Sequence, residues 1–269
     1  MAPNTTKPNI LVIAGHDPCG GAGIHADIEA IQALGGHCAT LITGLTVQNT
    51  QNVFGFDMVP AHLFQQQADA LLDDMTFDAV KIGMTGNVAH ITIIAAVLDA
   101  LRVNNPHLPV VLDPVLAAEA GGALSGESVP EAINRLLMPR SQLATPNLPE
   151  AQQLAKQQDL GDCARALLTH GAEHVLITGT HADTEHVTNH LFHSAGRHEW
   201  HWPRLPYQYH GSGCTLASAC AALLAHGIPI TDALTQAQAY VHLALSKAWK
   251  CGKGQHVPRR EKIDTHHDD

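Results

Sequence analysis

Four short, mostly apolar runs of this chain each stop at a glycine or an aspartate. They are Asn9–Ala14 before Gly15, Ala79–Ile82 before Gly83, Pro109–Leu112 before Asp113, and Glu173–Ile177 before the pair Thr178-Gly179. A strand with one wet face alternates polar and apolar residues, whereas a continuous apolar run suits a strand buried on both faces inside a parallel sheet. Segments with helical spacing lie between these runs: Ile24–Leu34, with Ile24, Ile28 and Ile31 on one face and Asp27 and Glu29 on the others, then Pro60–Leu72, Val88–Val103 and Glu127–Leu137. His186–His193 and His198–Trp202 read as two shorter alternating strands, expected as antiparallel edge strands. Thr215–His226 has no polar face and is expected to be a buried helix, and Ile230–Trp249 a final long one. Strands alternating with helices predict a three-layer α/β/α sandwich around a mainly parallel central sheet.

No Pro/Ser-rich or charged linker divides the 269 residues, so one domain over 1–269 is expected, with 1–8 and 260–269 as flexible tails. A formal charge of -10 with 15 Lys and Arg argues against a nucleic-acid partner, which requires a basic stripe to neutralise phosphates. The 6 cysteines form no CxxC pair and read as reduced thiols, which predicts a cytoplasmic protein. No run of about 18 apolar residues appears, so no membrane partner is expected. The tail Thr265-His-His-Asp-Asp lacks the second anchored pair that a metal site requires.

The stretch that carries chemistry is Tyr209-His-Gly-Ser-Gly-Cys-Thr215, a glycine-bracketed turn running straight into the small-residue helix. The first amides of that helix have no partners within it and point at whatever lies beyond, so Gly211, Ser212, Gly213 and Cys214 form an anion cradle that suits phosphate. At a helix N-terminus the dipole favours a thiolate, which makes Cys214 a candidate base or nucleophile; the competing reading is a small buried apolar residue, as expected for Cys220. Asp113 stands at a strand's C-terminal end, where open α/β sheets collect ligands, although a turn role before Pro114 competes. Asn147 and Glu150 open another helix and are explained either as caps or as holders of hydrated magnesium. The loop Gly15-His-Asp-Pro-Cys-Gly-Gly-Ala-Gly23 approaches something closely, and Gly21-Ala-Gly23-Ile-His-Ala26 fits GxGxxA. The second strand, Cys38–Val47, ends in Gln48-Asn49-Thr50 without the acidic residue that a dinucleotide ribose needs, so the nicotinamide reading fails.

Taken together, 14–27, Val47–Thr50, Lys81–Met84, Leu112–Val115, Thr145–Glu150 and His210–Leu216 resemble hydroxymethylpyrimidine/phosphomethylpyrimidine kinase of thiamine biosynthesis, a member of the ribokinase-like superfamily. The resemblance covers nearly the whole chain in order. It implies a kinase that uses ATP and Mg2+ to phosphorylate 4-amino-5-hydroxymethyl-2-methylpyrimidine and its monophosphate, and a homodimer. It implies that Cys214 takes the substrate's hydroxyl proton while the Gly211, Ser212, Gly213 and Cys214 amides stabilise the transferring phosphoryl group. It further implies that Asp113 and Glu150 organise magnesium through water, that Asn147, Thr178 and Gly179 face the ATP phosphates with Gly211 and Gly213, and that Gly15, Asp17, Ala22, Gln48, Met84 and Val115 line the pyrimidine pocket. An amide such as Gln48 can pair with an aminopyrimidine edge, which apolar contact cannot do.

Some positions depart from the family pattern. Thr178 and Glu119 stand where lysines are common, which removes two cations from the phosphate side, and His16 and Cys19 replace small hydroxyl residues. The rival readings are a pyridoxal/pyridoxine kinase on the same fold and a pyrimidine-binding protein with weak catalysis.

Overall fold

A computed structural model describes residues 7–116, 129–180 and 184–262; Glu119, the 118–124 loop and the histidine-rich tail fall outside the described residues. The chain runs β1 (Asn9–His16), α1 (Gly23–Ala33), β2 (His37–Gln48), β3 (Val53–Met58), α2 (Ala61–Asp74), β4 (Ala79–Ile82), α3 (Val88–Asn104) and β5 (Val110–Leu112). It continues through α4 (Val129–Ala132), extended by a π-helical turn at Ile133–Leu137, then β6 (Leu143–Ala144), α5 (Leu148–Ala155), α6 (Leu160–Thr169), β7 (His174–Ile177), β8 (His186–His193), β9 (Gly196–Pro203), α7 (Ser212–Ala225) and α8 (Ile230–Ser246). One sheet holds all nine strands in the order β3-β2-β1-β4-β5-β6-β7-β8-β9. Its middle, β2 through β7, is parallel. The β3 edge and the β8–β9 edge are antiparallel, as the alternation within 186–202 predicts.

The apolar runs are continuous because the central strands are covered on both faces. Along β1, Leu11 and Ile13 join a core with Phe64 of α2, Ile91 and Leu98 of α3 and Leu167 of α6. The alternate residues Ile10 and Val12 join a second core with Ile31 of α1, Ala217 and Cys220 of α7 and Leu234 of α8. The period of two in side-chain direction divides one run between two cores. Helix α7 lies in the second of them, with every residue from Thr215 to Leu224 buried.

Three parts of the sequence reading change. The elements β3 and α6 have no counterpart in it: Phe54 and Phe56 leave the β2–β3 hairpin exposed rather than marking a core strand, and α6 is short. Asp27 does not face water; it is fully buried beside the equally buried Lys81. The segment expected to fray from residue 260 begins with an anchored side chain, because Arg260 is 7% exposed and its guanidinium finds buried acceptors. Among the described residues no helix is long and apolar enough to cross a membrane.

Candidate active site

The C-terminal ends of the parallel strands and the N-terminus of α7 enclose a cavity of about 710 Å3. It is lined by Gly15, Asp17 and Ala22 from the β1–α1 loop, Gln48 from the end of β2, Met84 after β4, and Asp113 and Val115 after β5. Asn147, Glu150 and Thr178 follow from the β6 and β7 ends, and Gly211, Ser212, Gly213 and Cys214 close the ring. The expected site residues therefore converge on one space, with one departure. Gly179 lies behind the wall: its N–H donates to Asn189 Oδ1 at 3.1 Å, and a Cβ there would come within 2.1 Å of the Thr188 carbonyl.

The cradle is built by close approach of two loops. Gly211, the residue preceding α7, has φ 79°, and a Cβ on it would sit 2.0 Å from the Gly21 carbonyl, so a side chain is excluded by both conformation and space. No side chain among the described residues caps this helix, which leaves its leading N–H groups available to an anion.

The surroundings of Cys214 oppose the thiolate expected there. Burial pushes this thiol up to about 12; the nearby Lys81 cation lowers it, but the negative charges of Asp113 and Asp27 act with burial. Desolvation outweighs the helix dipole here. Burial likewise raises the Asp113 carboxyl to about 6, opposed by Lys81 and by a hydrogen bond that the Cys214 thiol donates. Among the described residues, Asp113 Oδ2 is buried with no hydrogen-bond partner. An orphaned carboxylate oxygen in a wall otherwise rich in amide donors suits the water shell of a hard cation.

Beneath the cradle lies a charge pair that the sequence reading does not contain. Lys81 Nζ donates to Asp27 Oδ1 at 2.8 Å, and Ser218 Oγ donates to the same oxygen at 2.7 Å. Burial alone would lower the Lys81 ammonium, yet the Asp27 charge, aided by Cys214 and Asp113, raises it above the usual lysine value. The available signal was a lone lysine inside an otherwise apolar strand.

At the other end, Asp17 accepts from the Cys19 N–H at 2.8 Å, the Ala22 N–H at 2.8 Å and the His210 ring at 2.9 Å. Burial raises its carboxyl, but hydrogen bonds from His210, Cys19 and Gln48 outweigh it and hold Asp17 well below the usual carboxylate range. Asp17 is thus an ionised anchor for the Gln48 amide, and His210 was missed because nothing local marks a partner 193 residues away. Among the described residues, Asp17, Cys19 and His210 are the group of three potential metal ligands within 4.8 Å. This thiol and imidazole set is unlike the oxygen shell that magnesium prefers. Asn147 and Glu150 form a reciprocal capping box on α5, each side chain accepting from the other's backbone N–H at 2.9 Å. Farther along, Asn189, Trp202, Gln238 and His242 line the cavity, with Asn189 and Trp202 both donating to Gln238 Oε1.

Residues 17–259 match the family model described as phosphomethylpyrimidine kinase. The chain is 38% identical over 258 residues to a hydroxymethylpyrimidine/phosphomethylpyrimidine kinase of Rhizobium meliloti, covering 91% of this chain and 93% of that protein. It is 36% identical over 254 residues to a thiamine biosynthesis bifunctional protein of Geobacter sulfurreducens; this covers 92% of the chain but 51% of that relative, about half its length. Among solved structures, the pyridoxal kinase of Staphylococcus aureus in complex with ADP superposes with a TM-score of 0.86 at 26% identity, covering 97% of this chain and 96% of that one.

Proposed function

The chain belongs to the phosphomethylpyrimidine kinase family, and from that membership we propose that it transfers the γ-phosphoryl group of ATP to the hydroxymethyl oxygen of 4-amino-5-hydroxymethyl-2-methylpyrimidine, and a second one to the resulting monophosphate, in the synthesis of thiamine diphosphate. The observation that carries this reading is the convergence on one cavity of an uncapped helix N-terminus, a buried carboxylate and an anchored amide. These are the parts phosphoryl transfer requires: a cradle for equatorial oxygens, a site for the counter-cation and recognition of the acceptor.

In this reading Gln48, oriented by Asp17, pairs with the aminopyrimidine edge, and Met84 and Val115 pack the ring. The Ser212, Gly213 and Cys214 amides stabilise charge on the transferring group. With the free-site thiol pushed up by burial, the base in this reading is the Cys214–Asp113 pair: the substrate hydroxyl proton moves to Cys214 Sγ as the thiol proton moves to Asp113. A loose transition state places that proton transfer late, so a standing thiolate is unnecessary. Asp113 and Glu150, both through water, would hold Mg2+, which when bound would neutralise charge on the phosphates. Asn147 and Thr178 face the phosphates, while Trp202 and His242 offer ring faces to the purine.

The same reading takes the chain as one ribokinase-like domain in three layers, supported by the two cores on opposite faces of the sheet. A homodimer is supported by the β2–β3 hairpin, which exposes Leu45, Val47, Phe54 and Phe56 while its Thr46 and Gln48 line the cavity. A cytoplasmic setting is supported by six cysteines that are all free thiols.

The fold likeness to a pyridoxal kinase makes the vitamin-B6 alcohols the rival acceptors. The deciding experiment measures ADP release with the pyrimidine alcohol, its monophosphate and pyridoxal supplied separately. A large kcat/KM preference for pyridoxal would sink the pyrimidine assignment. Turnover of the alcohol without the monophosphate would confine the activity to the first step, the outcome that the missing lysines at 119 and 178 would produce.

A further inference from the structure

We propose that Arg260 is a positioning residue for phosphoryl transfer, a guanidinium clamp that fixes the β1–α1 glycine loop against the start of α7 and thereby sets the geometry of the anion cradle. The inference rests on the kinase reading of that cradle. Arg260 lies beyond the last helix, yet its side chain reaches the seam between two loops far away in sequence. Its Nε donates to Thr215 Oγ1 at 2.8 Å, and Thr215 Oγ1 in turn donates to the Gly211 carbonyl at 2.7 Å. On the other side, Nη2 donates to the Gly21 carbonyl and Nη1 to Glu29 Oε2 at 2.9 Å, with a longer contact of 3.5 Å to the Gly20 carbonyl. The Gly21 carbonyl that it grips is the atom against which Gly211 is pressed.

The guanidinium therefore ties both walls of this close approach while standing outside the cavity. A planar fork with five donors can hold acceptors on α1, on the loop before it and on α7 simultaneously; a lysine ammonium has three donors and no fork. Backbone pairing holds the segment in place: Trp249 and Val257 exchange hydrogen bonds at 3.1 and 2.9 Å, and Arg259 N–H donates to the Ala244 carbonyl at 3.0 Å. Amide cradles stabilise a transition state only while their donors remain near 3 Å from the developing charge, and displacement by about 1 Å is enough to cost about 10²-fold in rate. A clamp on the seam thus acts on kcat more than on the affinity for the alcohol, whose contacts lie at Gln48 and Met84.

The test compares Arg260→Ala and Arg260→Lys in the full chain. Steady-state kinetics with Mg-ATP and the pyrimidine alcohol are combined with amide hydrogen exchange of the unliganded protein. The expected result for Arg260→Ala is a fall in kcat of about 10- to 100-fold with the alcohol's KM within about twofold. Exchange should quicken at 20–23 and 211–215 while the sheet core keeps its protection. Arg260→Lys should recover only part of the loss, and added methylguanidinium should raise the rate of Arg260→Ala but not that of the wild type. Unchanged kcat, or a loss accompanied by uniform loss of protection across the fold, would overturn the proposal. The exchange experiment involves no turnover, so a wild type that fails to phosphorylate the alcohol would refute the kinase reading while the clamp is still judged on exchange.

Discussion

Replacing Lys81 with methionine should separate the energetic role of the buried pair from its catalytic one. The ammonium and the Asp27 carboxylate are both 0% exposed and 2.8 Å apart. Removing the cation leaves a buried carboxylate with Ser218 as its remaining donor and Oδ2 already unpartnered. Breaking one partner of such a pair costs about 3–5 kcal/mol. At about 2–4 °C of Tm per kcal/mol for a chain of this size class, that is a fall of roughly 6–20 °C. The double substitution Lys81→Met with Asp27→Asn removes both charges, and volume-matched neutral replacements of buried pairs are frequently close to neutral, so most of the lost stability should return. Activity should not return with it. The Lys81 cation lowers both the Cys214 thiol and the Asp113 carboxyl more than Asp27 raises them, so removing both charges leaves the pair that receives the substrate proton only partly compensated. Thermal unfolding and ADP-release kinetics on wild type, single and double variants decide the matter. A double variant no more stable than Lys81→Met would refute the uncompensated-charge argument, and a double variant with wild-type kcat would refute the electrostatic link to the site.

Three further outcomes follow from the same geometry. Cys214→Ala should lower kcat by roughly 10² or more, the scale of a lost general base, with little change in the KM for ATP; unchanged turnover would favour a binding protein with incidental activity. Gly211→Ala forces a Cβ to within 2.0 Å of the Gly21 carbonyl at φ 79°, so kcat should collapse even if the protein folds. Asp113 is raised to about 6 by burial, so its charge is gained as pH rises through that value. The acid limb of kcat/KM, which reports the free enzyme, should therefore lie near pH 6. A carboxyl raised in the fold stabilises most below its unfolded value and loses that contribution as pH rises through about 6. Asp113→Asn should therefore be more stable than wild type by about 1–3 kcal/mol at pH 8, with the gap closing below pH 4. A gap that widens in acid would refute the assignment of burial as the dominant effect.

The residues that the sequence exposed most clearly are those whose surroundings are local. Asp113 and Thr178 sit just past apolar runs, and a strand that ends inside a parallel sheet delivers its next residue to the ligand edge whatever else the chain does. The capping box at Asn147 and Glu150 is likewise contained within four residues. The pair Asp27 and Lys81 is of another kind. Helical spacing puts Asp27 off the apolar stripe of α1, but α1 is covered by α7 as well as by the sheet, so the polar side also lies inside the fold and needs a buried partner 54 residues away.

By itself, the sequence determined the parallel middle of the sheet, the antiparallel pair after it, and the places of Asp113 at a strand end and Cys214 at a helix start, each read from hydrophobic periodicity and from which residues lie just beyond the elements. The places of Asp17 and Gln48 came from the family resemblance, and β3 and α6 have no clear signature in the sequence. The tertiary structure decided the direction in which the Cys214 thiol is shifted, the ion pair beneath it and the anchoring of Arg260 across the seam of the two glycine loops. The physical reason is that desolvation and long-range hydrogen bonding depend on what surrounds an atom. A helix N-terminus read in isolation promises a thiolate, whereas the same sulfur, half-buried beside Asp113, is pushed up by lost solvation and by the carboxylates around it.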